Sequence, residues 1–333
     1  MRRCAVPDRP ANRGGRMTRV MVAVVTYNSA ADLPSLVASL PAGLDGVDWR
    51  LVVADNNSAD DSVDVIRCLA PAATVVETGA NLGYAAGINA CAELAEPDEA
   101  LLVLNADVVL ERGCARALLA ACASGSVGVA VPFVTRSDGL VEPTLRRRPT
   151  VSRVLAEALL GAHAGSFGER VATPAPPRDI DVDWANGAVL LIPADVRRRI
   201  GRWQEDLFLY SEEVDYCRRV VDAGWRVRQC ANARAIHRGG DVTASPALWA
   251  QLITNKVVHV ARWEGRAAAE LVWATLLLAQ LVRLPLRRGT HRRALFELLR
   301  GRRALLAGLP TNPAAPPEFR RRIPVTGTIG GRA

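Results

Sequence analysis

The chain has 333 residues, half of them hydrophobic, so one large or two small domains with a buried core are expected and a disordered chain is excluded. The net charge of +8 is uneven. From Arg262 onward 14 arginines stand against four glutamates, whereas the first 261 residues carry −2. This distribution argues against a nucleic-acid groove through the core and predicts that the C-terminal region meets an anionic surface. Lys256 is the single lysine among 42 basic residues, a bias typical of GC-rich coding, so one arginine alone is weak evidence of a phosphate contact.

The cysteines and the N-terminus both bear on the cellular compartment. Seven cysteines are scattered without a CxxC pair: Cys4, Cys68, Cys91, Cys114, Cys122, Cys217 and Cys230. They predict reduced, mostly buried thiols in a cytosolic protein rather than a disulfide framework or a zinc site. Residues 1–18 lack the apolar stretch of a signal peptide. We expect them to form a disordered leader, with Met17 as an alternative start.

Continuous apolar runs rich in β-branched residues predict strands buried on both faces. In chain order they are 20–25, 51–54, 74–77, 101–104 and 127–132. Helices are predicted between them, at 31–40, 60–69, 85–94 and 113–123. Strands that alternate with helices at this spacing predict a parallel, doubly wound α/β sheet. Ser58 followed by Asp61 predicts a capping box that opens the second helix.

After Arg146 this alternation stops. Strands are predicted at 187–193, 225–230 and 234–237, and the chain is predicted to be helical from Pro246 to 309. The apolar segment 267–288 contains Glu270, Gln280 and Arg283, and its uninterrupted part is shorter than the ~20 residues that a membrane span needs. An interfacial helix with an Arg-rich flank and a core helix are both compatible with this segment. Residues 310–333 are predicted to be disordered.

Several polar clusters follow the predicted strands. They are "TYNS" at 26–29, "DNNSADD" at 55–61 and "NAD" at 105–107. Because ligands of parallel sheets bind beyond the carboxyl ends of the strands, Asp55, Asn105 and Asp107 are expected at one rim. Asn and Asp also favour turns, so each cluster alone is equally compatible with turn chemistry, but three at successive strand ends favour a site. The glycine-rich "NLGYAAGIN" at 81–89 leaves a helix N-terminus open to phosphate.

The segment "FLYSEEVDYCRR" at 208–219 brings three carboxylates within four positions. It is compatible with a solvated helix start, where acidic side chains complement the helix dipole. It is also compatible with a catalytic role, since partly desolvated carboxylates next to each other gain basicity. The residues alone leave both interpretations open.

Seven motifs in this order resemble the family 2 glycosyltransferases of the GT-A fold, and most of all their bacterial rhamnosyltransferase-like branch. The motifs are "VVTYN", "DNNSADDS", "NLGYAAGIN", "LLVLNADV", "WANGAVLL", "FLYSEEVDYCRR" and "ARAIHRGG". The resemblance covers roughly 19–240. It implies a GT-A domain over 19–245. The residues that follow predict a helical, membrane-peripheral extension over 246–309 and a disordered tail over 310–333.

The resemblance also implies roles for individual residues. Nucleotide-sugar binding falls to eight of them: Thr26, Tyr27, Asn28, Asp55, Asn81, Gly83, Asn89 and Asn105. Trp184, Asn186 and Gly187 would shape the place where the acceptor meets the donor. Asp107, the last residue of a DxD-like motif, would hold a divalent metal, Mg²⁺ or Mn²⁺, with His237 as a further ligand.

By the same resemblance Glu213 is the catalytic base, with Glu212 beside it and Asp215 in support. In an inverting transfer an acceptor hydroxyl attacks the anomeric carbon, and a carboxylate must take its proton. Two departures from the family pattern stand out. Asn105 replaces the first acid of DxD, and a Glu-Glu pair replaces the commoner Glu-Asp. The "HRGGDVT" spacing also differs from the usual one, so no role is assigned to Thr243.

The sequence therefore predicts a cytosol-facing, membrane-peripheral glycosyltransferase that does not bind nucleic acid. The favoured donor is dTDP-rhamnose, and the acceptor is a sugar on a polyprenyl diphosphate or a growing cell-envelope glycan. A catalytically degenerate scaffold is an alternative, because of Asn105 and the Glu-Glu pair. A nucleotidyltransferase ranks lower, because "VVTYNSAADL" lacks the glycine-rich loop with a basic residue that binds a triphosphate.

Overall fold

The computed structural model describes residues 19–174, 176–239, 245–286, 288–317 and 319. The predicted leader with Met17, the position of Thr243 and the tail from 320 onward lie outside the described residues. The described cysteines, from Cys68 to Cys230, are all free thiols.

A nine-stranded sheet forms the centre of the fold, in the order β3-β2-β1-β4-β10-β6-β11-β5, with β8 beside β11. The strands are β1 Val20–Thr26, β2 Trp49–Asp55, β3 Thr74–Glu77, β4 Ala100–Asn105, β5 Val108–Leu110, β6 Val127–Thr135, β8 Ile180–Val182, β10 Val189–Ile192 and β11 Arg226–His237. Pairing directions put β1, β2, β3, β4, β6 and β11 parallel to one another, while β5, β8 and β10 run against them. Two short strands, β7 Leu145–Arg146 and β9 Trp184–Ala185, pair separately. The predicted mostly parallel α/β sheet is confirmed.

Helices cover both faces of the sheet because its central strands are apolar on both sides. The helices are α1 Leu33–Gly43, α2 Ser62–Leu69, α3 Tyr84–Ala92, α4 Cys114–Cys122, α5 Val151–Leu160, α6 Ala194–Ile200, α7 Glu212–Asp222, α8 Pro246–Trp263, α9 Arg266–Arg283 and α10 Arg288–Leu306. One core joins the sheet to α1, α2 and α4 through Leu36, Ile66 and Leu118. The other joins it to α3, α6 and α7, with Tyr216 fully buried. The doubly wound arrangement is therefore confirmed.

Two local predictions were wrong. Segments 225–230 and 234–237 are one strand, β11, whose register shifts between Cys230 and Arg234, so the chain bends without leaving the sheet. The capping box is absent, because α2 begins at Ser62 and its N-cap residue Asp61 makes no side-chain capping bond. Ser58 instead donates its hydroxyl to the carboxylate of Asp55.

Helices α8, α9 and α10 pack on one another and on α5 around a third apolar core. None of the helices in the described part of the chain is both long and apolar enough to cross a membrane. The predicted disorder after Pro310 is wrong for 310–317 and 319. Phe319 packs its ring 4.9 Å from that of Phe208, and buried Asn312 donates to the Asp206 carbonyl at 2.7 Å. These contacts hold the segment against the loop that precedes α7.

Candidate active site

The loops after β1 and β2 are fastened together around Asp55. Its buried carboxylate accepts hydrogen bonds from the Thr26 hydroxyl at 2.8 Å and from the Ser58 hydroxyl at 2.6 Å. Asn28, in a left-handed conformation at φ 53°, accepts a bond from Ala59 N–H on its side-chain oxygen and donates its own N–H to Ser58 Oγ. Tyr27 keeps half of its surface exposed. Among the nucleotide-binding candidates of these two loops, Tyr27 is thus the side chain most open to a ligand.

The turn before α3 brings this rim next to the loop before α7. Gly83 has φ +85°, and a Cβ atom there would lie 2.1 Å from the carbonyl oxygen of Phe208, so only glycine fits. Its N–H donates to Asn81 Oδ1 at 3.1 Å, and its carbonyl accepts from Asn56 Nδ2 at 3.0 Å. Asn81 thus shapes the turn, and the turn connects the Asp55 rim to residue 208.

Asn89 lies away from this turn. Its amide nitrogen donates to the Trp203 carbonyl at 2.9 Å and to Glu205 at 2.7 Å, and its oxygen accepts the Trp203 N–H. The side chain is buried. These contacts do not support a place in the nucleotide-sugar pocket, because both ends of the amide fasten α3 to the 203–205 segment.

Asp107 and His237 meet beyond the ends of β4 and β11. Asp107 Oδ1 is 3.2 Å from His237 Nε2, and the amide nitrogen of Asn105 is 3.4 Å from the same atom. Glu142 lies on the other side of the imidazole, 2.8 Å from Nδ1, and also accepts from the Asn186 amide at 3.3 Å. Burial lowers the pKa of His237, but the bonds to Asp107 and Glu142 and their charges outweigh it and raise the pKa to about 9. Burial would raise the pKa of Asp107, yet the contact with His237 leaves that pKa below its usual value.

Asp107 and His237 provide two possible metal ligands, a carboxylate oxygen and an imidazole nitrogen, which face each other. Among the residues that the structure describes, no group of three or more His, Cys, Asp or Glu side chains is placed to hold a metal. A cation at Asp107 and His237 would therefore take its other ligands from a bound diphosphate and from water.

The acidic pair begins α7 after a strained stretch of backbone. Phe208, Tyr210 and Ser211 all have positive φ, between 60° and 76°, which costs energy in residues other than glycine. Glu212 is buried, and its Oε2 has no hydrogen-bond partner among the described residues. Burial raises the pKa of Glu212 well above its usual value, and the charge of Glu213 adds to this. Burial also raises the pKa of half-buried Glu213, to about 7, against the pull of backbone N–H groups and the charge of Arg146.

Asp215 and Trp184 form hydrogen bonds to other protein groups that surround the site. Asp215 binds Arg219 Nε at 2.9 Å, and Arg219 also donates to the carbonyls of Ile200 and Arg202. Asp215 is therefore placed to fix α7 rather than to reach a substrate. Trp184 donates from its indole to the Arg147 carbonyl at 2.9 Å and lies 5.9 Å below the guanidinium of Arg146.

Tyr84 lies where these parts meet. Its hydroxyl donates to the Gly187 carbonyl at 2.9 Å, and its N–H donates to the Phe208 carbonyl at 2.9 Å. Burial raises the pKa of Tyr84 far above its usual value, and the charges of Glu212, Glu213 and Asp107 raise it further. The charges of all three carboxylates therefore act on the Tyr84 hydroxyl. Asp55 and Asn105 end β2 and β4 at the carboxyl edge of the sheet, and the Asp107–His237 contact lies at that edge as well.

Three residues of the site, Tyr84, Glu142 and Arg146, have no role predicted from the sequence. Tyr84 stands inside the motif at 81–89, so the motif itself was the signal that could have found it. Glu142 follows a surface hairpin, where it pairs its N–H with the Val134 carbonyl, and it lies outside all seven motifs.

The acidic pair, the Asp107–His237 contact and a glycine-shaped helix N-terminus accompany an open α/β sheet, a fold that binds its ligands beyond the carboxyl ends of its strands. Residues 21–172 match the family described as Glycosyl transferase family 2. The chain is also 30% identical over 316 residues, 86% of its own length and 100% of the relative's, to N-acetylglucosaminyl-diphospho-decaprenol L-rhamnosyltransferase of Mycobacterium tuberculosis. The chain belongs to glycosyl transferase family 2 and is a glycosyltransferase.

More distant proteins agree on family or fold. The hexosyltransferase Agl10 of low-salt glycan biosynthesis in Haloferax volcanii is 26% identical over 222 residues, 65% of this chain and 66% of that one. A mannosyltransferase of Pyrobaculum calidifontis, solved with GDP-Man and Mn²⁺, has a TM-score of 0.53 at 17% identity over 86% of this chain and 87% of its own. GalNAc-T7, solved with UDP, GalNAc and Mn²⁺, has a TM-score of 0.56 at 12% identity over 86% and 57%. The predicted GT-A fold is confirmed.

Proposed function

We propose that the protein is an inverting glycosyltransferase that moves L-rhamnose from dTDP-rhamnose to a sugar on a polyprenyl diphosphate or a growing cell-envelope glycan. One observation supports the inverting chemistry: the charges of Glu213, whose pKa is raised to about 7, and of Asp107, which lies 3.2 Å from His237, both act on Tyr84. The M. tuberculosis relative, named for rhamnosyl transfer and a diphospho-decaprenol acceptor, supports the donor and the acceptor.

Glu213 is the proposed general base. The acceptor hydroxyl oxygen forms a bond to the anomeric carbon while the bond from that carbon to the diphosphate oxygen breaks. The hydroxyl proton passes to the Glu213 carboxylate, and the nucleoside diphosphate leaves. A base with a pKa near 7 is ionised in a large part of the protein at neutral pH and still binds a proton well. Glu212, which is more deeply buried, keeps its proton and leaves the charge of the pair on Glu213.

The donor side is proposed to follow the family pattern. Tyr27 would contact the nucleotide, while Thr26 and Asn28 hold Asp55 and its loop in place for the base or ribose. The turn at Gly83 would shape the donor pocket indirectly, because it packs against the Phe208 carbonyl, which also accepts the N–H of Tyr84, the first residue of α3.

A divalent cation, Mg²⁺ or Mn²⁺, is part of the proposal. Asp107 and His237 would be its protein ligands, and Glu142 would accept the Nδ1–H of the imidazole once Nε2 is free to bind. Two protein ligands suit a cation that keeps water and phosphate oxygens in its other positions. When bound, it offsets negative charge on the departing diphosphate.

We further propose that the protein works at the inner face of the cell membrane. On α9 four apolar side chains are exposed: Leu271, Leu278, Leu281 and Val282. Arginines of the C-terminal region would complement anionic lipid headgroups. Removal of residues after Trp263 should move the protein from the membrane to the soluble fraction, and an unchanged distribution would contradict this part.

The donor is tested by incubation with a panel of nucleotide sugars in the presence of Mg²⁺ or Mn²⁺. We expect release of dTDP from dTDP-rhamnose when an acceptor is present. Release of UDP but not dTDP would overturn the donor. Release of no nucleoside diphosphate from any donor would favour the scaffold.

A further inference from the structure

A cavity lined by Trp184 and Arg146 adjoins the acidic pair, since the charge of Arg146 acts on Glu213. It has a volume of about 410 Å³ and runs between α5, α8 and α9. Trp184 and Arg146 line this cavity, and Asn186 and Gly187, two and three residues after Trp184, contact Glu142 and Tyr84 of the active site. The cavity is of the size that proteins use for small ligands.

The cavity is lined by four basic side chains and two carboxylates, Glu157 and Glu169, so its lining carries a net positive charge, and Arg146 at the inner end is in no ion pair with a described residue although the charges of Glu169, Glu157 and Glu142 act on it. No carboxylate of the described residues lies within ion-pair distance of Arg146, which donates only to the carbonyls of Pro143 and Leu145. The Arg146 guanidinium is half-buried. Burial together with the charge of Arg170 lowers its pKa, which means that these surroundings destabilise its charged form. Arg170 and Arg283 line the same cavity. An anion bound here would lower that cost.

Lys256 also lines the cavity but is not free to bind an anion. Its ammonium contacts Glu169 at 2.6 Å and Glu157 at 3.3 Å, so its charge is already balanced within the protein. This difference identifies Arg146 as the anion contact. Arginine suits a diphosphate because its planar fork can bind two oxygens at once.

The walls between α5, α8 and α9 are largely apolar, and the polar Gln280 among them is hydrogen-bonded to Trp249 and His291. Val154, Leu252, Ile253 and Leu276 line these walls. At the mouth of the cavity the ends of α5 and α9 meet, where Arg283 donates to the Ala158 carbonyl at 2.7 Å. Large apolar side chains around this contact are exposed to water: Leu159, Leu160, Val282 and Leu286. A soluble protein rarely leaves such a cluster uncovered unless it meets a lipid or another protein.

We propose that this cavity binds the prenyl diphosphate of the acceptor, with the diphosphate at Arg146 and the first isoprene units between α5, α8 and α9. The inference rests on the proposed acceptor class. Charge at the inner end and apolar walls outside match a ligand that is anionic at one end and a hydrocarbon at the other. The tail then leaves past Leu160 and Val282 toward the membrane, and the sugar lies beyond Trp184, toward Glu213.

The test measures binding to the full chain in the absence of any donor, so it does not depend on turnover. Farnesyl diphosphate, inorganic pyrophosphate and farnesol are titrated separately by calorimetry. We expect farnesyl diphosphate to bind about tenfold or more tightly than either fragment, because both halves of the site contribute. Equal affinity for farnesyl diphosphate and pyrophosphate would overturn the proposal, since the site would then bind only an anion.

Competition separates this cavity from the donor cleft. Saturating dTDP, or whichever nucleoside diphosphate raises the melting temperature, should leave farnesyl diphosphate bound, and its complete displacement would overturn the proposal. If no nucleotide sugar is turned over but farnesyl diphosphate binds in this way, the proposed function fails while the cavity assignment stands.

Variants locate the two halves of the site. Arg146→Gln should weaken farnesyl diphosphate about tenfold or more, because it removes the charged donor. Leu252→Gln, on the half-buried wall, should weaken farnesyl diphosphate but not pyrophosphate. Arg199→Gln, which removes a positive charge from an exposed position on α6, is the matched control and should change neither. Wild-type affinity in both cavity variants would overturn the proposal.

Discussion

The side-chain amide of Asn255 on α8 lies 2.8 Å from the carbonyl oxygen of Tyr210, two residues before the acidic pair. The same nitrogen is 3.0 Å from the Leu209 carbonyl and 3.1 Å from that of Leu207. Gln251, one turn earlier on α8, also donates to Leu207. The strained backbone that presents Glu213 is therefore held by a helix more than 30 residues further along the chain.

Asn255→Leu should lower kcat by about tenfold or more while the fold persists. The change leaves buried carbonyls without a donor, a loss of about 1–3 kcal/mol, and lets the positive-φ residues relax. The acidic limb of the pH–rate profile, whose pKa is set by Glu213, should also lie at a different pH in this variant. Thr254→Ala is the matched control, because Thr254 bonds only within its own helix. A variant with wild-type kcat and pH profile would show that α8 does not position the base.

Glu213→Gln should lower kcat by about 10²–10⁴-fold and leave donor affinity unchanged, since the amide fills the same space but cannot accept a proton. Donor affinity is measured by calorimetry and turnover by nucleoside diphosphate release. Asp222→Asn, on the exposed end of the same helix, should behave as wild type. Retention of full turnover in Glu213→Gln would remove this residue as the base.

Stability should respond to the same replacement in a pH-dependent way. The pKa of Glu213 rises from 4.5 to about 7 on folding, so between these values the folded state holds more of this proton than the unfolded chain. Wild-type stability therefore falls as the pH rises through this window. Glu213→Gln has no carboxylate to ionise at this position, so it does not lose stability in this pH range. Its free energy of unfolding should therefore exceed that of wild type by about 1–3 kcal/mol near pH 8. Near pH 4 the two should agree, as urea unfolding can measure, and an equal difference at both pH values would show that ionisation of Glu213 is not the cause.

Glu142→Gln tests the metal arrangement. An amide in place of the carboxylate fixes the imidazole of His237 less well, so the Mn²⁺ concentration for half-maximal activity should rise about 10–100-fold. Asp138→Asn, which changes an exposed carboxylate on the neighbouring hairpin, is the control. If both variants need the same Mn²⁺ concentration as wild type, Glu142 has no part in holding the cation.

The rim of the cleft could be predicted because it follows from strand ends alone. Parallel strands end at one edge, so Asp55, the last residue of β2, and Asn105, the last residue of β4, stand at the same edge on either side of β1. Asn89 could not be placed in this way. It stands five positions after Tyr84 on α3, about 140° around the helix, so it faces Trp203 while Tyr84 faces the cleft. Two residues of one sequence motif can therefore lie on different faces of the same helix.

Other parts depend on contacts that no local pattern reports. Asn255 occurs in an ordinary helical stretch, and its partners are 45 to 48 residues away. The 310–317 segment is rich in proline and alanine, a composition typical of unstructured chain, but Asn312 pairs with Gln251 at 2.8 Å. Such polar anchors form only when distant elements meet, so their residues carry no local signal.

The position of Lys256 has a practical consequence. It is the only lysine in the chain, and its amine is enclosed between Glu157 of α5 and Glu169. These contacts raise the pKa of the amine, which keeps it in the unreactive protonated form. Amine-directed labels should therefore react slowly with this side chain while α5 and α8 stay together, and the rate at which the peptide that contains Lys256 becomes labelled should report their separation.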